Sequence, residues 1–298
     1  MCSRVLFKVL CICLSFGILS HEAYAIVGGE QTLNPKGARR YTVGIMTSAR
    51  DICTGVVIAP DLILTAAHCL VKGKPNTVMA LSPDYKPRYF SVNAFWRNPR
   101  FIPGKRPLQQ KGADLALISL SQPLPSDMKP ITIASSTDTL LSSETLSIAG
   151  FGVSHYGNAA TAGLLREGTL MPIGVGRLGA ISLMASDTGY IGRSEISACL
   201  GDSGGPVTVK ENGADVLVGI ISWVGSHKGS RICEGVTVAS PTLLNDAQLQ
   251  DTLKNSDAFP EKPFMKPQLA QPKAHILQHT KQPLYGSTNS APDPAGTR

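Results

Sequence analysis

Gly201-Asp202-Ser203-Gly204-Gly205-Pro206 (GDSGGP) sets a serine among glycines, directly after an aspartate. Serine is a poor nucleophile at neutral pH. It needs a base to take its proton, and the base needs an acceptor that holds its tautomer. Glycines beside the serine let the backbone turn sharply and let N–H groups face a developing oxyanion, worth about 3–4 kcal/mol per donor in comparable sites. By itself the hexapeptide reads equally well as a loop, so its meaning depends on what else the chain carries.

Two other stretches supply the missing chemistry. Thr65-Ala66-Ala67-His68-Cys69 places a histidine after an apolar run, and Asp114-Leu115-Ala116-Leu117 places a carboxylate at the mouth of an apolar strand. Histidine titrates near neutral pH and is the natural base. Taken singly, a His beside a Cys is more often structural, and an Asp before a strand is more often a turn residue. In the order His, Asp, Ser, the three are hard to ascribe to chance.

Around these stretches, residues 26–254 read mostly as β. TGVVIAPDLILTA (54–66), LALISL (115–120), TLSIAGF (145–151) and VLVGIISWV (216–224) alternate with Gly, Pro and Asp turns. No segment alternates strand with long helix. The pattern predicts an all-β barrel or sandwich closed by a terminal helix over residues 241–253, with Ser240 as its cap and Pro241 at its first position.

The two ends differ from this body. Arg4 and Lys8 precede an apolar run, Val9 to Leu19, too short for a stable membrane anchor, and Ala23 and Ala25 are the small residues a signal peptidase needs. Residues 1–25 therefore read as a signal peptide, and the product as secreted or periplasmic. Residues 255–298 hold seven prolines and few large apolar groups, and read as a disordered tail.

The chain has 298 residues, 43% of them apolar and 16% charged, with a net charge of +7. That is ordinary globular composition with enough length for a large core. Three of the seven cysteines fall in the leader. The other four, Cys53, Cys69, Cys199 and Cys233, read as two disulfides in an exported chain, and counting leaves three connectivities open.

From Ile26 to about Lys254 the chain resembles the chymotrypsin-like (trypsin-fold) serine proteases. The resemblance is carried by IVGGE (26–30), TAAHC, DLAL, GFG (150–152), ACLGDSGGP (198–206) and SWV (222–224). It implies two antiparallel six-stranded β-barrels with the site in the cleft between them. It implies His68 as general base, Asp114 as its orienter and Ser203 as nucleophile, with the N–H groups of Gly201 and Ser203 as the oxyanion hole. Ser222 would line the substrate strand and support Asp114. The resemblance pairs Cys53 with Cys69 and Cys199 with Cys233. Other bridges common in the family are absent, which leaves residues 163–197 less restrained.

In that family the mature chain begins Ile-Val-Gly-Gly, and its freed ammonium pairs with the aspartate before the nucleophile, here Ile26 with Asp202. Because Ala25 abuts Ile26, removal of the leader would itself create this terminus. A cut after Ser20 would instead leave a propeptide, His21 to Ala25. Ser197, beside Ala198, falls at the floor of the family's primary pocket and offers no charge to Arg or Lys, which excludes tryptic specificity. Gly235 would leave one wall open and Val224 would narrow the mouth. Together they imply small or medium apolar residues at the cleavage site. The expected partners are protein or peptide substrates, with a proteinaceous inhibitor as a second class the cleft would admit. The protein is expected to be a monomer without cofactor, metal, stable membrane anchor or nucleic acid.

A competing class is a protease-like binding protein that uses Arg97, Arg100, Lys105, Arg106 and Lys111 to hold polyanions. That stretch lacks the strong aromatic interleaving that stacks bases. Gly174 to Gly179 fits GxGxxG by letter, but its surroundings are not βαβ. His275 and His279 have no third partner for a metal.

Overall fold

The protein is described by a computed structural model covering residues 26–254, except 33, 72, 106–109, 111, 135–142, 178–180, 187–194, 226–231 and 243–246. The expected signal peptide, Pro-rich tail and His275/His279 pair lie outside the described residues, as do Arg106 and Lys111.

The apolar runs become strands. A two-residue strand β1 (Glu30–Gln31) precedes β2 (Thr42–Thr47), β3 (Ile52–Ala59), β4 (Leu62–Thr65), β5 (Pro75–Leu81), β6 (Pro87–Arg97) and β7 (Ala116–Leu120). After a short β8 (Thr132–Ile133) come β9 (Leu146–Gly150), β10 (Arg166–Arg177), β11 (Ile181–Ser186), β12 (Pro206–Glu211), β13 (Ala214–Gly225) and β14 (Val236–Pro241). Local chemistry sets the turns between them. Asn212 and Gly213, at φ +52° and +79°, join β12 to β13 in a two-residue loop. Both conformations are left-handed, which Asn-Gly adopts readily and which matches the twist of the flanking strands.

Pairing in the order β2-β3-β4-β7-β6-β5, with β5 returning to β2, closes a first antiparallel barrel. Pairing in the order β9-β12-β13-β14-β11-β10, with β10 returning to β9, closes a second six-stranded ring, which β1 and β8 extend. The two-barrel architecture implied by the resemblance is therefore present. Closure pairs most strand edges, and the 222–225 end of β13 keeps one side without a strand partner among the described residues.

Each barrel buries its own interior. The first is filled by residues such as Val43, Ile45, Leu64 and Leu117, and the second by Ile148, Leu170, Val207 and Val218. Phe151 follows β9 of the second barrel but packs in the first barrel's core, against the side of Gly44. A fully buried aromatic ring removes a large apolar area from water and stiffens the seam between the barrels.

Two expectations are corrected. Ser240 and Pro241 do not open a helix. They are the last residues of β14, opposite Ile220 and Gly219. Proline is tolerated at a strand's end, where its missing N–H interrupts little of the ladder. The described helix is Ala247–Lys254. Its Leu249 is buried in the first barrel's core and Leu253 packs against that core, so the helix crosses back from one barrel to the other. Residues 163–197, expected to be less restrained, include among the described residues the hairpin of β10 and β11, which pairs with β9 and β14. Gly174 and Gly176 of the GxGxxG string lie in β10 and not before a helix.

Candidate active site

The cleft lies where the two barrels meet, and each contributes side chains at the ends of its strands. Thr65 ends β4, and a short helical turn, Ala67–Leu70, carries His68 out to the cleft. Asp114 precedes β7, and its side chain is 1% exposed against 34% for that of His68. The His68 backbone N–H donates to Asp114 Oδ1 at 2.9 Å, and the ring meets Oδ2 through Nδ1 at 2.7 Å. A carboxylate only accepts, so Nδ1 carries the proton and Nε2 keeps its lone pair.

Ser222, in β13 of the other barrel, donates to Asp114 Oδ2 at 2.5 Å. Burial by itself would raise the Asp114 pKa, but the His68 charge and the bonds from His68 and Ser222 outweigh it and hold the carboxyl below its ordinary value. Burial likewise pushes the His68 imidazolium down, yet the Asp114 charge and hydrogen bond raise its pKa above the ordinary 6.5.

Ser203 sits on the loop before β12 and, with His68, lines one cavity of about 440 Å³. The loop has a defined internal wiring. The N–H groups of Asp202, Gly204 and Gly205 donate to the carbonyls of Cys199, Ile221 and Asp202. Those of Gly201 and Ser203 make no hydrogen bond among the described residues. Gly201 takes φ +97°, and a Cβ there would stand 2.7 Å from Gly152 Cα, so no other residue fits without displacement.

Asp202 is fully buried. Gly152 N–H donates to Oδ1 and Cys199 N–H to Oδ2, both at 2.8 Å, and Ile26 N–H donates as well. Burial pushes its pKa up to about 7, with those three donors and the Arg166 charge offsetting part of the shift. Ile26 is itself fully buried and takes φ +47°. Its neighbour Val27 accepts from Ser197 N–H at 3.1 Å.

The remaining expected pocket residues separate into two groups. Ser222 and Val224 line the cavity beside Ser203. Ser197, Ala198 and Gly235 are buried and are not among the described residues that line it. The Ser197 hydroxyl donates to Cys233 O at 2.5 Å, and Ala198 N–H donates to Thr237 Oγ1 at 3.1 Å. The cavity's surroundings are largely apolar, with Leu200, Trp223 and Ile232 exposed at 57%, 39% and 51%. Cys53–Cys69 and Cys199–Cys233 are both bonded, the first beside His68 and the second framing the cavity. Arg97, Arg100 and Lys105 are exposed.

Two contributors carry no motif. Thr54 in β3 reaches across the seam: its Oγ1 donates to Gly201 O at 2.8 Å and accepts from Phe151 N–H at 3.1 Å, while its own N–H donates to Ser203 O at 2.8 Å. Gln110 grips the loop before Asp114: its Oε1 accepts from Ile102 N–H at 2.6 Å and its Nε2 donates to Lys105 O at 2.8 Å. Neither type nor spacing marks them in the sequence: Thr54 meets backbone groups remote along the chain, and Gln110 meets backbone groups five and eight residues before it.

Two closed antiparallel barrels with this constellation at their junction define the chymotrypsin-like class of serine proteases. Comparison with known proteins agrees. A family model described as Trypsin matches residues 26–244. Human serine protease 56 is 30% identical over 218 residues, covering 66% of this chain and 34% of the relative. Human granzyme M is 28% identical over 222 residues, covering 71% and 81%, and trypsin iota of Drosophila melanogaster is 28% identical over 209 residues, covering 66% and 77%. The chain thus spans about a third of the length of serine protease 56. It belongs to the trypsin family.

Thr54→Val keeps the shape and removes the hydroxyl, leaving the Phe151 N–H and Gly201 carbonyl short of a partner. The expected loss is about 1–3 kcal/mol of stability. It is read as a lower urea midpoint together with faster hydrogen exchange at the Phe151 amide.

Proposed function

We propose that this protein is an exported serine endopeptidase that cleaves peptide bonds through an acyl-enzyme. The observation that carries the reading is the buried Asp114 joined to His68 Nδ1 at 2.7 Å, with His68 and Ser203 lining one cavity. In this reading His68 Nε2 takes the Ser203 proton as Oγ attacks the scissile carbonyl. Asp114 stabilises the imidazolium so formed. The unused N–H groups of Gly201 and Ser203 receive the oxyanion. His68 then gives its proton to the leaving amine, and water releases the acyl group by the same steps reversed.

The substrate would bind as an added strand. The edge of β13 at residues 222–225 has no strand partner among the described residues on the side facing the cleft, and an extended peptide can pair with it. The described lining of the cavity beside Ser203 includes Cys199, Val224, Ile232 and Cys233 and no carboxylate. Small or medium apolar side chains suit it, and Arg or Lys would find no counter-charge among the described residues.

Activation rests on Ile26. An isoleucine at φ +47° is strained, because a β-branched side chain crowds the left-handed backbone, by roughly 1–3 kcal/mol. Cutting before Ile26 removes that torsion and turns its N–H into an ammonium beside Asp202. Removal of residues 1–25 would do both at once, so export and activation become one event. The two disulfides suit an oxidising compartment outside the cytosol.

A fluorophosphonate probe is expected to label Ser203 in the exported protein. Ser203→Ala abolishes the label and lowers kcat at least about 10⁴-fold; an unlabelled wild type that begins at Ile26 contradicts the enzyme reading. Because His68 acts as a neutral base whose pKa is raised, kcat/KM should rise with pH through an acid limb centred above 6.5. A limb at or below that value contradicts the Asp114 pairing.

For Asp202 the sign follows from burial. A carboxyl with its folded pKa raised to about 7 destabilises the fold progressively as pH climbs from its unfolded value to that point. A chain beginning at Ala25 should lose stability over that range, and a chain beginning at Ile26 should not, because its ammonium draws the Asp202 pKa down. Denaturation midpoints of the two forms at pH 4.5 and 7.5 decide it.

A further inference from the structure

Among the described residues lining the cleft, Lys105 is the one lysine or arginine, and the reaction does not use it. Lys105 lines the same cavity, is exposed, and makes no ion pair among the described residues. The described residues lining that cavity include no carboxylate. Its position is built in. Residues 102–105 form a tight turn in which Lys105 N–H donates to Ile102 O at 3.2 Å, with Gly104 at φ +84°. Gln110, 6% exposed, holds both arms of that turn through Ile102 N–H and Lys105 O. The base of the loop is tied again where Asn98 N–H donates to Leu115 O at 2.9 Å and Asn98 Nδ2 donates to Thr252 Oγ1 of the C-terminal helix at 2.9 Å.

The cleft also has two walls from different barrels. Cys199, Val224 and Cys233 come from the second, and His68, Phe101 and Lys105 from the first. Side chains of an extended peptide alternate between faces. If the residue whose carbonyl is attacked turns toward the second barrel, the residues second and fourth on its acyl side turn toward the first. We propose that Lys105 selects substrates carrying a carboxylate at the second or fourth acyl-side position, so that the enzyme prefers an apolar residue at the cut preceded by an acidic one. This rests on the endopeptidase reading and narrows its substrate class. The charge is solvated, so the preference is modest, roughly two- to fivefold, and it weakens as salt screens the pair.

The test uses the full mature protein and fluorogenic tetrapeptides with leucine at the cut. Asp and Asn are compared in turn at the second, third and fourth acyl-side positions. The expected Asp/Asn ratio of kcat/KM is above one at the second or fourth position, near one at the third, and smaller in 1 M salt. Lys105→Arg should keep the ratio and Lys105→Glu should invert it. A ratio of one at all positions overturns the proposal, as does a gain confined to the third position or a ratio that Lys105→Glu leaves unchanged. If neither the Asp nor the Asn peptides are cleaved, the endopeptidase reading fails first and this inference falls with it.

Discussion

A carboxylate that is fully buried and close to neutral pH in its titration organises this molecule. Asp202 draws backbone donors from Ile26 and Gly152, both remote in the chain, and from Cys199, three residues before it. A buried charge that lost those donors would be costly. The chain is therefore drawn into one arrangement around it: the entry segment turns inward, the Gly150–Gly152 corner closes on it, and the loop of Ser203 is held from beneath. That same arrangement leaves Gly201 and Ser203 N–H without partners among the described residues. The buried aspartate thus links how the polypeptide begins to how its nucleophile is presented.

The seam between the barrels is the second constraint. His68 and Asp114 belong to one barrel, Ser203 and Ser222 to the other, and no local interaction could bring them together. Phe151 fills the first core from the second barrel, Thr54 ties β3 to the nucleophile loop, and Ser222 bonds Asp114 across the gap. The C-terminal helix crosses back and holds Asn98, which steadies the loop leading to Asp114. Close packing makes such a junction stiff, and positioning at a site of this kind tolerates little looseness.

Much of this was legible beforehand, for physical reasons that can be named. Glycines at 201 and 204 are readable because a Cβ at either would collide with backbone, with Gly152 at one and Thr54 at the other. Apolar runs such as LALISL are readable because strands buried in a closed barrel have no polar face to show. The helix start differs from the local signal because Ser-Pro opens a helix only when the strand before it has ended. At Ser240 and Pro241, pairing with β13 prevails over local propensity. Within residues 163–197 it is ladder hydrogen bonds to β9 and β14, not disulfides, that hold the hairpin.

The amino-acid sequence alone determined the all-β class, the two-barrel family and the types of residue available for catalysis, since those depend on local pattern and on motifs with strict steric demands. Only the tertiary structure decided which of those residues meet. It bonded the Ser197 hydroxyl to Cys233 O, placed the motif-free Thr54 and Gln110 at the two loops that frame the site, and set Lys105 in the cavity's lining. Apart from the short-range bonds of Gln110, these contacts join groups far apart along the chain. Their geometry is settled by barrel closure and core packing, which no short stretch of sequence encodes.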